Sequence, residues 1–510
     1  MGGNYEKGIY NQLMEVMARM EAVDQKYENK ILKMEQKHEC QIAKLKAESG
    51  EKIRKLEEKV CVLEKENKQL REENRLLTNE AARLKSIMNN NSSNTSNPPS
   101  TDQKPCANGK RANEYNGRGC TKKHAGAQKG HHGCTMTAEE VREKIKSGNC
   151  HHEVVDIGDA SLGKYVSRYI VDLDVTLKVT EVRIYANMEG KFRIPEKYRS
   201  TVTYGSNIKA IAVDLYSEGV MSNDRIAEFI NAMGGGGLHL SEGSVYHFCQ
   251  EFSKNATTTV AVLEEKLLNS SVVMTDATTS TVNGTQHYVR NFSIWNTVVY
   301  RAMKSKSLSE LKHMTFLTKF TGCLVHDHET AVYHFGTKHG ECNVHVIRYL
   351  KKNTEDTGHR WSRKMTSFLC AMNRARKDAI KKGEKSFCAE AVIRYESRYA
   401  EILGEGRREN KKTCHRYAKK DENALLNRLA KYKENHLLFL YDFTVPFDDN
   451  MSERDLRKVK NREKMAGGFR KESGIEMYCN ILTIVETLKR RKMHLFENIR
   501  LFFIGAPAIL

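Results

Sequence analysis

At roughly 150 residues per domain, a chain of 510 residues predicts about three structural units and excludes a single small module. Lysine and arginine together number 84, against 64 aspartates and glutamates, so the formal net charge is +20. A positive excess of this size favours a polyanionic partner that is bound through phosphate contacts and counterion release. Nucleic acid is therefore the first candidate partner.

No run of about 18 apolar residues occurs in the sequence, so we expect no membrane span and no membrane partner. The amino terminus lacks the apolar stretch of an export signal, which predicts a protein that stays in the cytoplasm. The 13 cysteines are scattered without a fixed framework and are expected to be free thiols.

Residues 10–88 are predicted to form a coiled coil. A leucine recurs at every seventh position over this stretch: Leu56, Leu63, Leu70, Leu77 and Leu84. Asn67 and Asn74 on the other seam position favour a parallel dimer. An earlier apolar pattern, at residues 31–45, is out of register and predicts one local unwinding. The alternative is a long helix that packs against its own chain.

Residues 89–135 are predicted to be a basic, flexible linker because they offer almost no apolar side chain to bury. Residues 136–205 follow as a small β unit, with strand patterns at 165–171 and 177–185. Cysteines of the linker and of the start of this unit suggest a degenerate zinc module: Cys106, Cys120, Cys134 and Cys150. Their spacing is far wider than that of zinc ligands on one tight turn, so we do not expect zinc.

Residues 206–260 change to helical spacing and predict a helix-turn-helix-like segment that binds DNA. Ser222 and Ser241 stand where N-caps would open two helices, with a glycine run at 234–237 between them. Two helices that pack in a core without entering a DNA groove are an equally good interpretation.

The chemistry is expected at two aspartates. Three strand patterns, a helix and a fourth strand follow one another, and the first and fourth strands end at Asp276 and Asp327. A turn is predicted at Asn283-Gly284, between the first two strands. This order is that of a ribonuclease-H-like core, which we assign to residues 270–352 and 437–500, within a multidomain α/β protein. Its first and fourth strands are parallel neighbours, so the two carboxylates should converge. Taken singly, either aspartate is more often a turn or capping residue.

Glu453 supplies the third expected acid, since it opens a basic helical run that can point back at the sheet. Three carboxylates can hold two Mg²⁺ or Mn²⁺ ions about 4 Å apart, an arrangement that activates water or a hydroxyl. Basic residues beside Glu453 are expected to hold the DNA backbone: Arg454, Arg457, Lys460, Lys464 and Arg470. His345 either orients a phosphate or caps a strand.

The stretch between the second and third acids is longer than one strand and one helix require. Residues 353–436 are strongly charged and helical in pattern, and predict a helical insertion into the core. Its basic side chains favour a clamp on DNA, and a solvated helical face is the alternative.

These motifs resemble those of the IS66 family of transposases, DDE-type enzymes of bacterial insertion sequences. The similarity covers nearly the whole chain and is most specific at residues 448–457 and 467–470. It implies that Asp276, Asp327 and Glu453 are the catalytic acids. The segment Cys342-Asn-Val-His345, together with Arg348, looks like the basic motif that the family carries after the next strand. The resemblance implies that His345 and Arg348 contact DNA.

The resemblance also implies phosphodiester hydrolysis at element ends and strand transfer into target DNA. The expected assembly is a homodimer or a larger synaptic complex built through the coiled coil, with small accessory proteins of the same element as further partners. The expected location is the bacterial cytoplasm, at the nucleoid. The chain departs from the family pattern at two acids. The family usually has Asp-Glu-Thr at the first acid, where this chain has Asp276-Ala277-Thr278. At the second acid the family usually has Asp-Gly-Tyr, where this chain has Asp327-His328-Glu329. A catalytically inactive, dimeric DNA-binding or architectural protein is the alternative function, and a junction-resolving nuclease is a third.

Overall fold

A computed structural model describes residues 3–90, 94, 136–148, 150–155, 157, 166–173, 175–413 and 416–507. The chain divides into two compact units, and the first of them is built around the helix at the amino terminus. Among the described residues, no helix combines the length and the apolar character that crossing a membrane requires.

Helix α1 (Gly3–Met88) contains the whole predicted coiled coil. It runs without a break through the predicted stutter, because backbone hydrogen bonding in a helix does not depend on the side-chain register. Leu56 and Leu77 are 61% and 62% exposed, so the apolar seam is open to solvent along the helix. A solvent-exposed seam of this kind is what a second helix would cover.

The second unit begins, in its described part, with α2 (Ala138–Lys146), which Thr137 and Glu140 open with a capping box.

The prediction of strands at 165–171 and 177–185 is wrong for the described residues, which form no strand up to residue 205. Ile170 is 96% exposed there. Alternation is only a local signal, and a strand needs a partner to complete its hydrogen bonds. Cys106, Cys120 and Cys134 lie outside the described residues, and Cys150 is exposed.

Three helices follow: α3 (Ser206–Ser217), α4 (Asn223–Met233) and α5 (Glu242–Leu268). The predicted caps are confirmed, since the Ser222 and Ser241 hydroxyls accept the N–H groups of Arg225 and Ser244. The buried side chains of all three helices join the main hydrophobic core of this unit. This packing agrees with the interpretation of 206–260 as helices of a core.

The sheet has five strands: β1 (Val272–Val282), β2 (Thr285–Ile294), β3 (Thr297–Met303), β4 (Cys323–His326) and β5 (Lys338–Glu341). Their order is β3-β2-β1-β4-β5. β1 and β2 pair antiparallel across the predicted turn at Asn283-Gly284, and β2 also pairs antiparallel with β3. β4 pairs parallel with both β1 and β5. The predicted adjacency of the first and fourth strands is thereby confirmed. The single helix predicted between them is two short ones, α6 (Leu308–Lys312) and α7 (Thr315–Lys319).

A helical layer with its own core follows β5, made of α8 (Asn343–Thr357), α9 (Arg360–Lys381), α10 (Ala389–Lys411), α11 (Arg416–Lys431) and α12 (Lys433–Tyr441). Trp361 is fully buried in this core, and its indole N–H donates to the buried carboxylate of Glu422 at 2.6 Å. The described residues of the predicted insertion are therefore helical, as expected.

The chain then returns to the sheet through α13 (Asn450–Asp455), α14 (Arg457–Ala466), α15 (Glu472–Arg490) and α16 (Leu495–Phe503). Helix α15 closes the free edge of β3, where the N–H groups of Val298 and Tyr300 donate to the hydroxyls of Thr487 and Thr483. Covering an edge strand in this way satisfies its backbone and prevents edge-to-edge association.

Candidate active site

The pairing of β1 with β4 places the first two predicted acids opposite each other. Met274 lies opposite Val325 in the parallel ladder, and continuing this register by two residues sets Asp276 opposite Asp327. Neighbouring strands are about 4.8 Å apart, and residues opposite each other in a ladder project from the same face. The two carboxylates therefore belong to one edge of one face of the sheet.

The sequence predicts that Asp276 ends its strand. In the structure Asp276 is the fifth residue of β1, and the strand continues beyond it. β1 continues to Val282 because β2 pairs with it over that whole stretch, so the end of an apolar run does not end the strand. What stops near Asp276 is the pairing with β4, whose last residue is His326. Asp276 thus lies just beyond the point where β1 loses its pairing with β4 and keeps only its pairing with β2.

Helix α13 is held on the same face. Asp276 pairs with Asn291 across the β1–β2 ladder, and cross-strand partners share a face. The Asn291 side-chain amide donates to the Ser452 carbonyl at 3.3 Å and to a carboxylate oxygen of Asp455 at 3.1 Å. These contacts fix the helix that carries Glu453 over the face of the two aspartates.

Two residues of α8 hold Glu453. Arg348 donates to Glu453 Oε2 at 3.2 Å, and His345 Nε2 lies 3.5 Å from Glu453 Oε1. His345 is buried, and burial lowers its pKa. The sequence predicts both residues as DNA contacts, whereas the structure places both against the third acid.

The charges of the acids act on one another. Burial raises the pKa of Asp276 to about 7, and the charges of Asp327 and Glu453 add to the rise. Lys306 opposes it, and its ammonium group donates to the carbonyl of Ala277 at 3.1 Å. Lys306 is a site residue that the sequence analysis missed, since no motif singles it out.

Asp449 is a second residue that the sequence analysis missed. It is 1% exposed, and burial together with the charges of Asp276, Asp327 and Glu453 raises its pKa well above the usual value. The signal was present as the pair Asp448-Asp449 before α13. Only the rotation of the helix decides which member of that pair faces inward.

The loop after β4 is held by the two residues that follow the second acid. Arg290 is fully buried and donates to both carboxylate oxygens of Glu329, at 2.6 and 2.7 Å. His328 has a backbone φ of +76°, which is unfavourable for a residue with a side chain, and its ring contacts Glu341. The two residues that depart from the family pattern here therefore hold the loop of Asp327.

The basic residues after the third acid form an exposed surface: Arg454, Arg457, Lys460, Lys464 and Arg470. None of them forms an ion pair with any carboxylate of the described chain. Arg457, Lys460 and Lys464 are spaced to share one face of α14. This surface agrees with the prediction of phosphate contacts, which bind charge without reading sequence.

The donors suit Mg²⁺ or Mn²⁺, because all four side chains at the site offer carboxylate oxygens and hard cations prefer oxygen ligands. Glu453 Oε1 and both oxygens of Asp449 are buried, and among the described residues none of them has a hydrogen-bond partner of normal geometry. A bound cation would relieve that state. Within the described residues, no group of three or more acidic, histidine or cysteine side chains is already arranged as a set of metal ligands.

Comparison with known proteins gives one family. The model of the family described as "Transposase IS66 family" matches residues 201–477, which is more than half of the chain. The match begins just before α3, includes Asp276, Asp327 and Glu453, and ends within α15. No curated protein matches the chain.

Proposed function

Because the chain belongs to the IS66 family of transposases, we propose that it cuts and joins DNA at one acidic site formed by Asp276, Asp327 and Glu453. Water attacks the scissile phosphorus at an element end, and the bond to the 3′-oxygen breaks, which leaves a 3′-hydroxyl on the element. That hydroxyl then attacks a target phosphodiester and displaces the target's own 3′-oxygen. The first step consumes one phosphodiester bond. The second step forms one phosphodiester bond for the one that it breaks, and both steps use the same site.

The observation that carries this proposal is the β1–β4 register, which sets Asp276 opposite Asp327 beneath the helix of Glu453. A mixed sheet of order β3-β2-β1-β4-β5, with the acids on neighbouring parallel strands, supports a ribonuclease-H-like core. When bound, Mg²⁺ or Mn²⁺ supplies activation of the attacking oxygen and stabilisation of the leaving oxygen. The chain's own residues hold the acids in place: Arg348 and His345 orient Glu453, and Lys306 offsets negative charge at Asp276.

DNA is held, in this proposal, by the exposed cations of α13, α14 and the loop after them, with the helical layer α9–α11 as a clamp. The net charge of +20 supports such an electrostatic grip. Arg376, which lies on α9, is not part of the proposed clamp. Arg376 is buried and donates to the carbonyl of Val445 at 3.0 Å, so it serves the fold and not the DNA.

The exposed seam of α1 supports a homodimer, or a larger synaptic assembly, as the active form. Two DNA ends must be brought together before they are joined, and a parallel coiled coil would keep two catalytic units in one complex. Small accessory proteins of the same element are further expected partners. A DNA substrate of this kind places the protein at the bacterial nucleoid.

The test is strand cleavage of DNA that carries the element ends, in the presence of Mg²⁺. Asp327→Asn and Glu453→Gln should bind this DNA as the wild type does but lower the cleavage rate by at least about 100-fold, because each removes a metal ligand. Glu434→Gln changes an exposed glutamate on α12 and is the matched control, expected to cleave normally.

If both the Asp327→Asn variant and the Glu453→Gln variant still cleave this DNA, the proposed site of Asp276, Asp327 and Glu453 is wrong. A wild type that binds the ends in Mg²⁺ or Mn²⁺ without cutting supports the alternative of an inactive DNA-binding protein. Cutting that requires a four-way junction, and ignores linear ends, supports a junction-resolving nuclease.

A further inference from the structure

Asp449 carries a buried carboxylate without the contacts that such a group needs. It is 1% exposed, and neither of its carboxylate oxygens has a hydrogen-bond partner of normal geometry among the described residues. The nearby Ser452 hydroxyl offsets the effect of burial only in part. An ionised carboxylate in this state is costly unless something else neutralises it.

Its backbone is firmly held. The Asp449 N–H donates to Cys342 Sγ at 3.3 Å, and its carbonyl accepts the N–H of Glu453 at 3.2 Å. The two acidic residues are therefore one helical turn apart, and side chains at this spacing lie on the same side of a helix. Asp449 thus faces the same space as the third catalytic acid.

The neighbouring aspartate shows what a structural carboxylate looks like at this position. Asp448 is only half-buried, and its side chain accepts the N–H of Asn450 at 3.2 Å, an ordinary turn contact. Asp449 has no such partner, and instead the charges of Asp276, Asp327 and Glu453 all act on it. A fourth negative charge added to three others destabilises the empty site and stabilises only a state with cations.

We propose that Asp449 is a fourth carboxylate ligand of the divalent-cation site formed by Asp276, Asp327 and Glu453. This inference rests on the proposed function, since it places the residue at the same site. The nearest alternative is a purely structural role, in which the carboxylate supports the start of α13.

The experiment measures Mn²⁺ binding to the full-length protein by electron paramagnetic resonance, together with thermal unfolding with and without Mn²⁺. Asp449→Asn should weaken Mn²⁺ binding by at least about tenfold. It should also lose most of the rise in Tm that Mn²⁺ causes, while its Tm without metal stays at or above that of the wild type. Asp448→Asn is the matched control and should keep both properties.

Asp449→Ser is measured beside it, because serine is smaller than aspartate and cannot overpack the site, and it should behave like Asp449→Asn. Full Mn²⁺ affinity and a full Mn²⁺-induced rise in Tm in these variants would overturn the inference. So would a lowered metal-free Tm with unchanged affinity, which marks a structural role. Asp276→Asn separates the two proposals. If Asp276→Asn loses Mn²⁺ binding and Asp449→Asn keeps it, the inference about Asp449 is wrong while the proposed metal site stands. A wild type that binds no Mn²⁺ rejects the metal site itself.

Discussion

Arg290 and Glu329 form a buried ion pair two residues from the second acid. The arginine is fully buried and the glutamate side chain is 14% exposed, and two hydrogen bonds join them. Arg290 also donates to the hydroxyl of Thr275 at 3.1 Å, so the pair ties the loop of Asp327 to β1 and β2. Removing one partner from such a pair leaves the other charge buried and uncompensated.

Glu329→Gln should therefore destabilise the fold by about 3 kcal/mol, measured by urea unfolding. The double variant Arg290→Met with Glu329→Leu removes both charges and should recover most of that loss, because apolar side chains can fill the same space. Equal unfolding midpoints for Glu329→Gln and the wild type would contradict the assigned role.

Glu341 and His436 make the fold sensitive to acid. Burial alone would raise the pKa of Glu341, but hydrogen bonds from His328 and Arg428 and nearby positive charge hold it below the usual value. Burial lowers the pKa of His436 from 6.5 to about 4. The unfolded chain therefore takes up a proton at His436 as the pH falls below 6.5, while the folded protein does not.

Between pH 6.5 and pH 5 this difference should remove up to about 2 kcal/mol of stability. Glu341 extends the loss to lower pH, since its contribution is present above the ordinary glutamate pKa and disappears as the pH falls through the lowered one. His436→Gln should flatten the first part of the profile. The measurement is the urea midpoint from pH 7 to pH 5, and an unchanged slope in the variant would argue against His436.

At the scale of elements, the loop from α14 to α15 docks on the far end of β1. The Phe469 N–H donates to the Thr281 carbonyl at 2.7 Å. Gly468, with φ +118°, brings its backbone so close that a Cβ there would lie 2.5 Å from the Thr281 oxygen. Gly467 also has positive φ, at +65°, but a Cβ there meets nothing within 4 Å. Arg470, which follows this loop directly, is exposed.

The two glycines provide a matched pair. Gly467→Ala should cost about 1 kcal/mol, from backbone strain alone. Gly468→Ala should cost roughly 1–2 kcal/mol more, because the loop must also move away from β1. Chemical unfolding of both variants checks this order, and equal losses would show that the close approach to Thr281 does not matter.

At the scale of the whole molecule, the proposed coiled coil of α1 predicts how many copies act together. Its seam leucines are about half exposed in one chain, and a single chain has a mass of 58.4 kDa. Leu63→Glu with Leu70→Glu puts charges on the seam and should convert a dimer into a monomer of that mass, as measured by light scattering. Lys65→Gln changes a residue on the side of α1 opposite the seam and should leave the dimer intact. A wild type that is already monomeric would refute the coiled-coil prediction.

Local patterns in the sequence predicted what depends on neighbours along the chain. The capping serines 222 and 241, the Asn283-Gly284 turn and the long helix α1 belong to this class. The adjacency of β1 and β4 was also predictable, because the order of strands and helix leaves few ways to build one sheet. The family follows from motifs that are themselves local.

Tertiary structure decided what depends on partners far along the chain. The patterns at 165–171 and 177–185 form no strand in the described residues, since a strand needs a second strand to pair with. His345 and Arg348 turn inward to Glu453, and Asp449 turns toward the acids while Asp448 does not. Burial and the rotation of a helix set those directions, and both arise only when distant segments pack together.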